Sequence, residues 1–145
     1  TFEQINTNFT KLFTLFFEGG EGRLELIGDP DPLEADIAIR AQPPGKRNQN
    51  LRMLSAGEKS LTAIALLFAI YQYKPSPYCI LDEVDAPLDD VNIRKFTRVL
   101  HQFSNETQFI VVTHNKLTME SANYLYGVTM EQKGVSKLVS VQFEA

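Results

Sequence analysis

Two adjacent carboxylates, Asp82 and Glu83, follow the uncharged run Tyr78-Cys79-Ile80-Leu81. Such a run predicts a buried strand that delivers both acids to its carboxyl end, where open α/β sheets place their ligands. There, one carboxylate can hold a Mg²⁺ while its neighbour faces an attacking water, as phosphoryl transfer requires. In that division of labour Asp82 orients the metal through its water shell and Glu83 polarises the water. Adjacent acids also repel, which costs stability, so a protein with no use for them would rarely place them there; in isolation a solvated strand end is an equal alternative.

Upstream, Ser55-Ala56-Gly57-Glu58 has the pattern of a capping box, in which the Ser55 hydroxyl accepts an amide hydrogen bond and Glu58 reaches back. Capping alone accounts for Ser55 and Glu58. The same helix start, with Gly57 beside it, also offers free N–H groups and a positive dipole end to phosphate oxygens. Downstream, Val111-Val112-Thr113-His114-Asn115 ends a second apolar run, and right-handed crossover topology brings its end to the same sheet edge as Asp82. His114 is there a donor to a terminal phosphate, or else it or Thr113 helps to cap the next helix. No role is assigned to His101.

The three segments in this order point to a nucleotide-hydrolysing head, and to part of one. The sequence contains no Gly-x-x-x-x-Gly-Lys-Ser/Thr phosphate loop. Gly19-Gly20-Glu21-Gly22-Arg23 has the glycines but lacks the Lys-Ser/Thr pair and a preceding apolar strand. Nothing in the chain is suited to cradle α- and β-phosphates.

The elements that must position these groups are legible as patterns. Ile5, Phe9, Leu12, Phe13 and Phe16 share one face of an opening helix that stops at Glu18-Gly19-Gly20. Arg23–Leu26 and Asp36–Arg40 alternate like the strands of a hairpin with one wet face, joined through a Pro-rich turn. A polar loop over 42–50 leads to a helix from about Gly57 to Tyr73, ended by Pro75 and Pro77. Strand Tyr78–Leu81, a helix from about Val91 to Phe103 and strand Gln108–Thr113 form a strand–helix–strand unit, so this half implies a parallel sheet. A short helix near Lys116–Ala122 and closing strands Tyr124–Met130 and Lys137–Phe143 complete the chain.

At 145 residues, with 43% hydrophobic residues and no Trp, the chain fits one domain with a substantial core. Its net charge of −4 advertises no global affinity for nucleic acid, so any basic surface must be local; Lys46, Arg47 and Arg52 are the candidates, with a solvated loop the plainer reading. One cysteine, Cys79, excludes a disulfide framework within the chain and suits a reducing cytosol as a small buried hydrophobe. No apolar stretch reaches membrane-spanning length, and the amino end has no basic leader. A chain that begins at Thr1 and enters at once on an amphipathic pattern is expected to be a fragment of a longer polypeptide.

Taken together, Leu54-Ser55-Ala56-Gly57-Glu58-Lys59-Ser60-Leu61, Ile80-Leu81-Asp82-Glu83-Val84-Asp85-Ala86-Pro87-Leu88-Asp89 and Val112-Thr113-His114-Asn115 resemble an SMC (structural maintenance of chromosomes) protein. The resemblance is to the carboxyl-terminal half of its ABC-type ATPase head, most like the bacterial chromosome-condensation members, and extends to Pro43-Pro44-Gly45-Lys46 and to the opening helix, which is similar to a returning coiled coil entering the head. It implies an α/β fold with a mainly parallel sheet, flanking helices and an antiparallel portion. Residues 1–17 would continue the coil, 54–60 form the signature, 78–90 the Walker B strand and D-loop, and 111–115 the switch-histidine segment.

By this resemblance the cofactors are ATP and Mg²⁺, with Asp82 the metal residue and Glu83 the catalytic base. Ser55, Ala56, Gly57 and Glu58 belong to the signature that meets ATP on an opposite head, Asp89 crosses the head–head interface, and His114 is the switch histidine. Ala56 stands where the family usually has Gly, which predicts slightly altered engagement. The phosphate loop lies in the amino-terminal half, beyond a coiled coil and hinge, so the fragment alone is expected to be inactive. The implied partners are that amino-terminal half, a second head, a kleisin subunit and DNA, with no membrane and a cytoplasmic, nucleoid-associated location. The implied work is chromosome condensation and segregation through opening and closing of a DNA ring. Two alternatives are another coiled-coil ABC ATPase of DNA repair and a non-catalytic kleisin-docking scaffold.

Overall fold

The computed structural model describes residues 1–46 and 49–142. Helix α1, Phe2–Phe17, buries Phe9, Phe13 and Phe16 completely and Leu12 and Phe17 nearly so, as their helical spacing requires. It ends at Glu18, whose left-handed backbone (φ 58°) allows the helix to close back onto Thr14. The glycines that follow do more than stop the helix. Gly20 (φ +74°) sits where a Cβ would come within 2.3 Å of the Gln42 carbonyl, and a Cβ on Gly22 would enter the Phe13 ring at 2.4 Å. The turn is therefore pressed directly onto the core.

Strands β1 (Glu21–Ile27) and β2 (Asp36–Gln42) pair antiparallel, with Leu24 opposite Ile39, and β2 also pairs with the two-residue β3, Gln49–Asn50. Asn6 fastens α1 to this sheet by both exchanges with Leu24: its Oδ1 accepts the backbone N–H at 2.7 Å and its Nδ2 donates to the carbonyl at 3.2 Å. A single 3₁₀ turn, Leu51–Met53, then leads to helix α2, Ala56–Tyr73. Neither β3 nor this turn is predicted from the sequence, because both are too short to carry a period. Helix α2 packs Leu61, Ile64, Ala65 and Phe68 against α1 and against α3, Asp90–Phe103, whose Ile93, Phe96 and Val99 are fully buried.

Strands β4 (Tyr78–Asp82) and β5 (Gln108–Val112) flank α3 and pair in parallel, Ile80 opposite Ile110 and Asp82 opposite Val112. Among the described residues this pair is the whole of the parallel sheet. The expectation that Tyr78–Leu81 is a buried strand is corrected: Leu81 and Cys79 face the helices, but Tyr78, Ile80, Ile110 and Val112 are 47–61% exposed on the other face. An uncharged run fits a strand buried on both faces, yet only one face is covered here. Helix α4, Lys116–Glu120, follows β5, and β6 (Tyr124–Gln132) with β7 (Val135–Gln142) forms an antiparallel ribbon exposed almost throughout. Phe143, expected in the last strand, lies outside the described residues. No helix among the described residues is long and apolar enough to cross a membrane.

Candidate functional site

The residues singled out in the sequence fall into two clusters, joined by the loop 83–89. The first lies at the carboxyl end of β4 and β5. Asp82 ends β4 with its side chain exposed, and the Glu83 N–H donates to the Val112 carbonyl at 2.9 Å, carrying the pairing one residue past the strand. Glu83 does so with φ 49°, a left-handed conformation that costs a non-glycine residue about 1 kcal/mol. Across the edge, His114 Nε2 lies 3.1 Å from Glu83 Oε1. The two side chains are 89% and 52% exposed, and a pair so wet is worth at most about 1 kcal/mol. Such a contact is easily exchanged for another acceptor.

Beneath this edge sits a residue for which no role is expected from the sequence. Asp85 is 2% exposed, and its Oδ2 accepts the hydroxyls of Thr113, at 2.6 Å, and of Thr118. The Thr113 hydroxyl accepts in turn from the Asn115 N–H at 2.9 Å, while the Asn115 side chain caps α4 by accepting from the Leu117 and Thr118 amides. Capping of this helix thus belongs to Asn115, and His114 is left free of that duty. The only sequence signal for Asp85 is the presence of hydroxyl residues on the next loop, which has no meaning until the fold brings them together.

The second cluster lies where α2 and α3 begin. Ser55 caps α2 as the capping box requires: its hydroxyl accepts the Glu58 N–H at 3.3 Å and its own N–H donates to Glu58 Oε2 at 2.9 Å. Lys46 Nζ then binds both Glu58 oxygens at 2.8 and 3.0 Å, tying the Pro-Pro-Gly-Lys loop to the helix start. Burial pushes the Glu58 carboxyl up, but the hydrogen bonds from Lys46 and Ser55 outweigh it and hold the group below the ordinary carboxylate range. Lys46 is thereby engaged within the chain; Arg52 is exposed, and Arg47 lies outside the described residues. Ala56 opens the helix, so its methyl meets no left-handed strain.

Asp89 accepts the Asn92 N–H at 2.9 Å and caps α3. Gly57 lies against the same turn: a Cβ there would stand 3.1 Å from Asn92 Nδ2 and 3.8 Å from the Pro87 carbonyl. The fold therefore brings Ser55, Ala56, Gly57, Glu58 and Asp89 to one ridge, and Asp82, Glu83 and His114 to one edge.

Mg²⁺ is bound by one or two carboxylates together with substrate phosphates and water, which suits an exposed carboxylate such as Asp82 at a strand end. No group of three His, Cys, Asp or Glu side chains among the described residues forms a metal cage. Cys79 faces the helices, and burial pushes its thiol up, away from reactivity.

The described residues thus form an α/β segment with paired acids at a parallel strand end, a histidine beside them and a capped helix start on the same loop. The profile of the RecF/RecN/SMC N terminal domain family matches residues 4–137, and the chain belongs to that family. It is 53% identical over 144 residues to the chromosome partition protein Smc of Coxiella burnetii and 52% identical to that of Bacillus subtilis, covering 99% of this chain in each case. The chain spans 12% of the length of these relatives.

Among solved structures, it is similar to a chain described in connection with ATP-driven dimerization and DNA-stimulated activation of SMC ATPases. That match has 40% identity and a TM-score of 0.89, over 97% of this chain and 85% of the other. An Smc head bound to the C-winged helix domain of ScpA matches with 41% identity and a TM-score of 0.87, over 99% of this chain and 44% of the other. The SMC head domain from Thermotoga maritima gives 48% identity and 0.80, over 99% and 49%. The fold is that of an SMC head fragment, with both parallel and antiparallel strands as expected.

Proposed function

We propose that this chain is the carboxyl-terminal half of an SMC head, which hydrolyses ATP at a head–head interface in chromosome condensation and segregation. The observation that carries the reading is the Glu83–His114 edge: a strained, exposed carboxylate beside a strand-end aspartate, with an imidazole 3.1 Å away. Asp82 is the residue to hold Mg²⁺, which, when bound, neutralises charge on the transferring phosphoryl group. Glu83 orients and polarises the attacking water, and His114 donates to a terminal phosphate oxygen in place of its exposed contact with Glu83. The α2 start, with Ser55, Ala56, Gly57 and Glu58, faces the ATP of an opposite head, and Asp89 lies on the loop that crosses to it. Loss of the terminal phosphate on hydrolysis removes contacts made by Ser55 and His114, so engagement weakens.

Two exposed apolar surfaces support the partners. Parallel pairs are normally covered on both faces, so Tyr78, Ile80, Ile110 and Val112 suit the amino-terminal half of the same head, which brings the phosphate loop. A two-stranded ribbon is marginal alone, and the exposed Val139 and Val141, on one face of β7, suit a kleisin subunit; a similar Smc head is known bound to the C-winged helix domain of ScpA. Arg52 is a contact for DNA held by the ring. The proposed location is the cytoplasm, at the nucleoid.

The test replaces Glu83 by Gln and Ser55 by Arg in the full-length protein. Glu83→Gln is expected to lower turnover by roughly 10²–10⁴-fold while ATP stays bound and dimers accumulate. Ser55→Arg is expected to bind ATP and yet neither dimerise nor hydrolyse. Unchanged turnover in Glu83→Gln would remove the proposal.

A further inference from the structure

A carboxylate taken out of water is tolerated only where hydrogen bonds replace its hydration, and apolar packing of similar volume would serve a core as well. Asp85 is such a carboxylate: at 2% exposure it is among the most buried polar residues described, and two hydroxyls converge on one of its oxygens. Its place in the chain is what gives this meaning. Asp85 stands on the loop that carries Glu83, whereas Thr113 stands on the β5–α4 connection that carries His114 and Thr118 in the α4 helix that follows it. No covalent link shorter than α3 and β5 joins the two loops.

We propose that Asp85 is a positioning residue for hydrolysis: its buried carboxylate, gripped by the Thr113 and Thr118 hydroxyls, sets the His114 segment at its working distance from Glu83. The inference rests on the roles proposed above for Glu83 and His114.

The grip acts on both sides of the histidine. Thr113 precedes it and donates to Asp85, while its oxygen accepts the N–H of Asn115, which follows it. Thr118 secures the far end of the same turn, where Asn115 holds its amide. The His114 backbone is thus fixed through its neighbours while its side chain stays 89% exposed and able to change acceptor. Displacements of about 1 Å at such a centre can cost roughly a hundredfold in rate, so a clamp that leaves the reacting groups free is worth a buried charge. Glu83 is held from the same loop by its N–H on the Val112 carbonyl, one residue before Thr113. The two loops are therefore stitched at Val112, Thr113 and Thr118, with His114 between the stitches.

Valine and serine separate the hydroxyl from the packing. In the full-length protein, Thr118→Val keeps the volume and removes the donor, whereas Thr118→Ser keeps the donor and loses a methyl. The same pair at Thr113, which is only half-buried, provides the measurement should Thr118→Val fail to fold. Each variant is assayed for kcat and KM for ATP, for ATP-dependent dimers and for its melting temperature, with Glu83→Gln alongside.

The expected result is a kcat roughly tenfold to a hundredfold lower in the valine variants. KM should stay within about twofold, dimers should still form, and the serine variants should recover most of the rate. Equal losses in valine and serine would mean packing alone and overturn the proposal. So would a loss confined to KM, or a wild-type kcat in folded valine variants. If Glu83→Gln abolishes turnover in that case, only the role of Asp85 falls. Wild-type turnover in Glu83→Gln would instead bring down the hydrolytic reading, and this inference with it.

Discussion

The two ends of the loop between Glu83 and Asp89 are built on opposite plans. At the Glu83 end the backbone is strained and firmly held, but the side chain is wet and pairs with an exposed histidine. At the Asp89 end the backbone is at ease at the start of a helix, and the side chain is committed to capping it. The same contrast separates His114 from Glu58, whose carboxylate is committed to the Ser55 N–H and to Lys46 at the start of its own helix. Groups that must change partners during a reaction are left with weak contacts on a fixed frame. Groups that present a shape to another surface are locked.

The sharpest way to break that comparison is to separate strain from chemistry at Glu83. Glu83→Gly in the full-length protein relieves the left-handed backbone and is expected to stabilise the head by about 1 kcal/mol relative to Glu83→Gln, which keeps the strain. Both should lose turnover by roughly 10²–10⁴-fold. Denaturant midpoints together with ATP hydrolysis measure the two effects. A glycine variant no more stable than the glutamine one would mean that the frame at this edge carries no strain.

The opposite end predicts the opposite balance. Gly57→Ala brings a methyl to 3.1 Å from the Asn92 amide, the flexible end of a side chain that can give by a few tenths of an ångström. Alanine also favours the helix by about 1 kcal/mol, so stability should change by less than that in either direction. The shape of the ridge changes nonetheless, and ATP-dependent dimerisation is expected to weaken by about tenfold, read by sedimentation or cross-linking. Adding Asn92→Ala should restore part of it. Wild-type dimerisation in Gly57→Ala would show that this ridge is not a fitted surface.

How much of this was legible in the sequence follows from the range of each interaction. The capping box at Ser55–Glu58 was readable because both partners lie within four residues, and α1 because five apolar side chains keep one helical period. The half-exposed β4 was misjudged because an uncharged run records which residues suit burial, and their burial needs a covering surface. Asp85 was invisible for a different reason. Its partners Thr113 and Thr118 lie 28 and 33 residues away, and nothing local marks a buried acid from a wet one. In the sequence Lys46 has only the look of a solvated loop charge, for the same reason: its partner Glu58 is set by the fold.

That Lys46–Glu58 contact gives the smallest effect and the one with a defined sign in pH. The folded-state carboxyl of Glu58 titrates below its ordinary value of 4.5, so the folded state binds this proton less readily than the unfolded chain does. The stabilisation is therefore complete above the ordinary value and is lost as pH falls through the lower, folded one. Glu58→Gln keeps an acceptor for the Ser55 amide and loses only the charge, which at a partly exposed site is worth about 0.5 kcal/mol. The gap in denaturant midpoint between wild type and Glu58→Gln should be present at neutral pH and close on the acid side of 4.5. High salt should narrow it at neutral pH, since the pair is open to screening. A gap that persists unchanged into acid would mean that the locked end is held by the capping geometry alone, with Lys46 a bystander.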